Sequence, residues 1–564
     1  MRIGKTTRTA ALLLSLALSL SALAGCSGGS TGTGNTAASG NNAATSSPKP
    51  SGPPTFINLS GIINPESVTN FNPLLPTGNL TATYPDFFDY VFNHLFYFNA
   101  VKGEIQPDLA LESSWLDNDL TFKVKLNTKA KWHDGQPFTA DDVVYTFNVL
   151  RDNKALDLTN LWGEKRLKEV VAEGKDTVIF KLGAKFPSLP YYLSAPNTYI
   201  MPKHIFEKEN AAAFQNKNPV GTGLYKFKSI NESAIILEKN PDFFAGAANI
   251  DQLIINRFNN TASLSLAIEK GDIDLAAQIS SASLPKVLEN PVSKMQLYPA
   301  PLSYNLVMNN EKPGLNDVAV RRAIQLAIDR KTLKESTEFN GVFIPNPGYL
   351  SIVFGDLVNK SLPDNPEYQF NLKAAEKYLT DAGYTKNAKG IYEKGGKPLS
   401  FTYYMTANSA TQNKQGAMIT ANLKEIGIET TIKTATVPEL TKLMMSGDYD
   451  IVQLVINAPS DPQAQLEIFH SKATAPSGTP TPGLNYMRFR DAEVDKWLDE
   501  AASADANTRK QLYQKVQKKI ADLAPLAVMY TVGGKAIYRT DRLTDLNEQV
   551  PLTSAIAIRT MKKK

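Results

Sequence analysis

Few residues in this 564-residue chain are placed to do chemistry. Its single cysteine, Cys26, follows Arg2, Lys5, Arg8 and an apolar run from Ala10 to Leu20, and ends the tetrad Leu23-Ala24-Gly25-Cys26. A basic start, an apolar stretch and small residues at its end make an export signal. The stretch is about 15 residues, short of the roughly 20 a membrane-spanning helix needs. Four histidines, His94, His133, His204 and His470, are scattered with no metal-ligand spacing, so no zinc or haem site is expected. There is no G-x-S-x-G elbow and no P-loop. Gly221-Thr222-Gly223 precedes a strand pattern, not a helix, and reads as a turn rather than a dinucleotide fingerprint. Asp141 and Asp142 fall in the first turn of a helix, where the helix dipole alone accounts for two carboxylates. No catalytic residue, cofactor or metal is expected.

The elements around these residues are read from periodicity. Residues 121–126 (TFKVKL) and 176–182 (DTVIFKL) alternate polar and apolar, the pattern of half-buried strands. Thr139 to Asp142 form a capping box opening a helix through Val143, Phe147 and Leu150. Asp317 caps a helix whose Val320, Ala323, Ile324, Ala327 and Ile328 share one face. A helix over Leu372–Ala382 is closed by Gly383. Then come a strand from Leu399 to Met405 and a helix from Gln415 to Ile426 ended by Gly427. A strand from Ile428 to Lys433, a helix from Glu439 to Ser446 ended by Gly447, and a strand from Asp450 to Ile456 follow. That order implies a wound α/β sheet, with ligands bound beyond the C-terminal strand ends. The loop from Asn457 to Gln463 is therefore a candidate site on topology alone.

Composition narrows the class further. Lys and Arg total 60 against 55 Asp and Glu, a formal charge of +5, and three of the positive charges leave with the signal. The basic residues form no stripe, and Lys562-Lys563-Lys564 reads as a solvated tail, so no nucleic-acid partner is expected. Residues 27–55 are Gly, Ser, Thr, Asn and Ala followed by a Pro-rich end; with almost nothing to bury they read as a disordered tether. A flexible coil of that length spans on the order of 30 Å. With Cys26 occupied no disulfide is available, so stability must come from hydrophobic cores.

The tetrad ending in Cys26 resembles a bacterial lipobox, which implies cleavage before Cys26 and a lipid anchor at the outer face of the cell membrane. Across the body, ALESSW (110–115), LTFKVKL (120–126) and AKWHDGQPFTADDV (130–143) resemble the signature of the family 5 extracellular solute-binding proteins. These are the oligopeptide, dipeptide and nickel receptors of ABC importers. PVGTGLY (219–225), NPDFF (240–244), AIEKGDID (267–274), VRRAIQLAIDR (320–330) and Asp461-Pro462 follow in the family's order, and the resemblance runs from about 56 to 560.

The resemblance implies an α/β, two-lobed periplasmic-binding-protein-like fold of type II, in the large cluster with an extra subdomain in the N-terminal lobe. Its hinge is two crossover segments, near Ala300–Tyr304 and Tyr530–Gly534. The expected division is a signal peptide (1–25), a lipidated cysteine and linker (26–55), lobe I (56–97, 201–300 and 531–564), its subdomain (98–200) and lobe II (301–530). The implied protein is a monomeric, non-catalytic receptor that encloses an oligopeptide or other small solute and delivers it to the transmembrane subunits of an ABC permease. The implied ligand-facing positions are Thr77, Gly78 and Asn79, whose backbone pairs with an extended peptide, Tyr304 and Asn305 past the crossover, and Asn457, Ala458 and Asp461. Peptide-binding members carry an aspartate three residues before the Asp-Pro pair to hold the peptide's ammonium; here that position is Ala458, and a nearby tryptophan is replaced by Val455. A buried ammonium without an anionic partner is costly. Either Asp461 takes that role, or Asp461 shapes the turn with Pro462 and the ligand lacks a free amine, as an oligosaccharide does. A membrane-tethered hydrolase would need a nucleophile–base pair that no motif suggests, and a sensor in place of a permease stays open.

Overall fold

Two long strands, Ser293–Met308 and Leu526–Arg539, organise the fold in the computed structural model, which describes residues 53–63, 70–75, 86–277, 279–407, 409–457 and 461–564. Cys26 and the tether up to residue 52 lie outside the described residues; Thr55, the last residue assigned to the tether, is held instead by Asp251, whose carboxylate accepts from its N and Oγ1 at 2.8 and 3.0 Å. The two strands run antiparallel, Ser293–Pro299 against Gly533–Arg539 and Ser303–Val307 against Leu526–Thr531. Between these ladders Ala300, Pro301 and Leu302 stand opposite Val532 alone. Pro299 and Pro301 have no N–H to give a ladder, so the sequence itself places the break.

Each end of this pair carries its own strands. Beyond the break, Leu302–Met308 pairs antiparallel with Ile451–Asn457, which continues in parallel to Ser400–Thr406 and Glu429–Ala435. On the other side Ile537 and Tyr538 pair with Leu275–Ala276, followed by Phe56–Ile63, Gln252–Phe258, Ala234–Lys239 and Tyr225–Ile230. The result is two lobes sharing one continuous sheet. In the C-terminal lobe helices cover both faces. Leu306, Met308 and Met529 meet Val320, Ala323 and Ile419 on one face; Val307 and Val528 meet Leu466, Val494 and Val516 on the other.

Local chemistry sets the helices. The carboxylate of Asp317 accepts from Ala319 N at 2.9 Å and caps Val318–Leu326. Gly383, Gly427 and Gly447 follow their helices with φ of 82°, 72° and 75°, the left-handed region that glycine enters without steric cost. The helix read from Gln415 begins at Ala410, where Ser409 caps it by accepting from Gln412 N. Its first turn, Thr411-Gln412-Asn413-Lys414, has no apolar period, so the pattern alone starts it late.

In the N-terminal lobe a second sheet runs Ala110–Leu116, Thr121–Leu126, Thr177–Leu182, Leu167–Ala172, all antiparallel. Its Phe180 meets Phe147 of helix Ala140–Asp152 edge-on at 5.3 Å. In that helix the Asp142 carboxylate accepts from Thr139 N at 2.9 Å, so Asp142 is a cap. His133 ties this unit to the rest of its lobe. Its Nδ1 accepts from Gly221 N at 3.2 Å and its Nε2 donates to Gly223 O at 3.0 Å. A Cβ on Gly221 would sit 1.7 Å from Val91 O, so the Gly-Thr-Gly segment serves close backbone approach.

The C-terminal lysines are not a solvated tail. Lys562 and Lys563 pair as a strand with Leu543–Thr544. Lys563 Nζ and Arg542 Nη1 reach the fully buried Asp274 carboxylate at 2.8 and 2.9 Å, and Asn58 N donates to it at 2.8 Å. A buried carboxylate needs such partners, and a charge count cannot show which lysine it takes.

Candidate functional site

The break at Pro299–Pro301 lies where the two lobes meet, and side chains bridge them there. Ser188 precedes helix Leu189–Tyr192 of the N-terminal lobe, and its hydroxyl donates to Asp461 Oδ1 at 2.8 Å. Asp461 belongs to the C-terminal lobe and caps helix Pro462–Glu467 by accepting from Gln463 N at 3.0 Å. Both side chains are buried, at 4% and 3% exposure. Burial pushes the Asp461 carboxyl up, against the opposing pull of Ser188, Gln463, Tyr192 and the Arg166 guanidinium. Arg166 is held over the Phe186 and Tyr192 rings at 4.7 and 5.0 Å. A cavity of about 670 Å³ opens here, with Arg166, Ser188 and Tyr192 on one side and Asp461, Glu467 and Asp499 on the other.

A second bridge crosses near the base of the junction. Glu338 ends helix Arg330–Thr337 in the C-terminal lobe and accepts from Ser281 Oγ, in the N-terminal lobe, at 2.7 Å. Its other oxygen accepts from Tyr530 OH at 2.8 Å and Gln415 Nε2 at 3.1 Å. The chain continues inward, Gln453 Nε2 donating to Gln415 Oε1 and Tyr403 OH to Gln453 Oε1, each at 2.6 Å. Such a fully paired buried network fixes its members' orientations. Lys535 stands near; burial lowers its pKa, and the Glu338 charge opposes that shift. Packing completes the contact: Phe98 and Tyr191 of one lobe lie 6.0 and 6.1 Å from Phe354 of the other. Gly103 comes so close to Val353 O that a Cβ would sit 2.2 Å from it.

The expected ligand-facing residues divide three ways. Thr77, Gly78, Asn79 and Ala458 lie outside the described residues. Asn457 is the last residue of its strand, its backbone opposite Leu302. Tyr304 is half-buried at the crossover and stacks on Tyr530 at 4.8 Å and 32°. Burial and the nearby Glu338 charge raise its phenol pKa. Asn305 is fully buried, and its Nδ2 donates to Ser303 O at 2.9 Å within the same strand. Strand alternation puts Asn305 on the face opposite Tyr304. Sequence reading missed Ser188, Ser281, Glu338 and Gln415. No local pattern marks them, because their roles come from contacts across lobes or between distant helices and strands.

Two lobes on a two-strand hinge, joined by hydroxyl–carboxylate bridges, define a periplasmic-binding-protein-like fold. Bacterial extracellular solute-binding proteins, family 5 Middle, match residues 104–477, and the chain belongs to that family. It is 29% identical over 450 residues to the oligopeptide-binding protein AppA of Bacillus subtilis, covering 76% of this chain and 78% of that protein. It is 25% identical over 469 residues to the periplasmic oligopeptide-binding protein OppA of Salmonella typhimurium, covering 78% and 81%. Among solved structures, the AppA of Bacillus subtilis in complex with a nonapeptide has a TM-score of 0.64 at 24% identity, covering 91% of this chain and all of that one. NikZ from Campylobacter jejuni in complex with Ni(L-His) has a TM-score of 0.67 at 21% identity, with the same coverage. The protein is a solute-binding receptor and not an enzyme.

Proposed function

We propose that this receptor captures a peptide between its lobes and delivers it to the transmembrane subunits of an ABC importer, held at the outer face of the membrane by a lipid on Cys26. The observation that carries the reading is the crossover with its proline break, bridged by Ser188–Asp461 and Ser281–Glu338. Contacts that exist only when the lobes meet let a ligand bridging both lobes select the closed state. The permease then distinguishes loaded from empty receptor by shape. The moving bodies are lobe I (56–97, 201–300 and 531–564) with its subdomain (98–200), and lobe II (301–530). The Tyr304 ring forms part of the ligand wall, the backbone of Thr77, Gly78 and Asn79 lies along the peptide, and Asp461 receives its ammonium. The relatives named as oligopeptide-binding proteins support the peptide class.

Native mass spectrometry of the mature protein as purified, then denaturation and identification of what is released, tests this. A ladder of peptides is the expected result. The alanine at 458 supports a second reading, a solute without a free amine; release of a sugar or a metal chelate and no peptide selects it. A Cys26→Ser variant should lose acyl labelling and membrane association, and retention of both would refute the anchor.

A further inference from the structure

A second cavity, of about 380 Å³, is walled entirely by the N-terminal lobe. Asp89 and His94 enter it from helix Asp86–Val91 and the turn after it, and Tyr97 and Asp108 from the hairpin of Phe96–Asn99 and Glu104–Pro107. Phe243 and Phe244, 4.4 Å apart, form an aromatic wall. No part of the interlobe seam contributes.

The polar lining combines the acceptors Asp89, Asp108 and His94 with Asn127, Ser554 and Arg559, whose exposed guanidinium is turned to Ala245 O, Nη1 donating at 2.7 Å. His94 is 7% exposed, and burial lowers its pKa to about 3, so the ring is neutral. A neutral imidazole has one N–H and one lone pair. Nε2 is buried with no partner among the described residues and is free to accept in the tautomer protonated at Nδ1. Asp108 accepts from Asn93 Nδ2 at 2.9 and 3.2 Å and from His94 N at 3.1 Å, while Asp89 accepts from Tyr199 OH at 2.7 Å. Burial raises the Asp89 and Asp108 carboxyls to about 6 and 7, and an ammonium beside them would favour their ionised forms; an ionised carboxylate has about four lone-pair directions, so both then keep capacity. Aromatic faces beside them attract a cation.

We propose that this cavity is a second, intralobe binding site for a small protonated amine carried on an apolar or aromatic body. The ammonium donates to His94 Nε2, Asp89 and Asp108, and the body packs on Tyr97, Phe243 and Phe244. The volume lies within the range of small-molecule pockets. Because a single lobe supplies every wall, occupation gains nothing from closure and leaves the lobe equilibrium unmoved. The site stands independently of what the interlobe cleft binds.

Isothermal titration calorimetry of the mature receptor tests this, with tyramine and 2-phenylethylamine as probes and 2-phenylethanol as the uncharged control. One-to-one binding of the amines is expected, with the alcohol weaker by tenfold or more, about the loss for one charge-assisted hydrogen bond. Asp89→Asn should weaken the amines by a similar factor, and Leu111→Trp, at a half-exposed lining position, should block them by filling the mouth. Leu111→Trp carries the test alone if Asp89→Asn does not fold. The radius of gyration should not change on amine binding. Absence of heat and of saturation-transfer NMR signal at millimolar amine, equal binding of the alcohol, or binding indifferent to Leu111→Trp would each overturn the proposal.

Discussion

Replacing Ser188 with alanine removes one hydroxyl from the lobe seam. The Ser188 Oγ–Asp461 Oδ1 hydrogen bond is 2.8 Å long, and both side chains are almost fully buried. A hydrogen bond to a charged group contributes about 1.5–3 kcal/mol, and the variant leaves Asp461 buried with one donor fewer. The two residues belong to different lobes, so that energy is present only when the lobes are closed. The closed state should therefore weaken by the full amount and the lobes themselves by none. Affinity for the released and identified ligand should fall on the order of 10- to 100-fold by calorimetry. Scattering should show a larger radius of gyration at subsaturating ligand, and melting of the ligand-free protein should be unchanged if it rests open. Ser188→Thr, which keeps a hydroxyl, should recover most of the affinity. Unchanged affinity in Ser188→Ala, or an equal loss of stability in ligand-free and ligand-bound protein, would refute the assignment of this bond to closure.

Asp274→Ala should destabilise the N-terminal lobe by about 3–5 kcal/mol, because Arg542 and Lys563 lose their shared carboxylate; calorimetric melting reads this. Gly221→Ala puts a Cβ 1.7 Å from Val91 O and should cost about 1–3 kcal/mol in chemical denaturation. Burial raises the Asp108 carboxyl to about 7, so the folded state holds a proton that the unfolded chain releases near pH 4. Its contribution therefore falls as pH rises from about 4 to 7, by at most about 1.4 kcal/mol per pH unit. Asp108→Asn should flatten that part of the stability–pH curve measured by urea unfolding at stepped pH.

The winding of the C-terminal lobe is legible in the sequence because its signals are local. Gly383, Gly427 and Gly447 punctuate its helices, and apolar runs such as Asp450 to Ile456 mark its strands, so the order of elements follows without tertiary knowledge. The hinge is legible only through the family resemblance, although Pro299 and Pro301 carry its physical cause. The seam is not. Ser188 and Asp461 are 273 residues apart, and no periodicity links a serine in one lobe to a carboxylate in the other. Asp461 shows the gain: the Asp-Pro pair reads equally as turn or amine site, and the structure adds a hydroxyl from the opposite lobe. The pairing of Lys563 is illegible for the same reason, since Asp274, the group that orders it, lies 289 residues upstream.

That last contact also links distant parts of the chain during folding. Tyr90 OH donates to Thr553 O, and the final strand pairing at Lys562 and Lys563 closes over Asp274. The lobe that holds the strand Phe56–Ile63 thus waits for residues 553–563. Until they arrive, the partly emerged polypeptide holds an unneutralised acidic group and an uncovered sheet, a state that invites degradation or chaperone capture. A stop codon before the helix Ala555–Thr560 would therefore destabilise the lobe built on the strand Phe56–Ile63, although it leaves that strand's own sequence untouched.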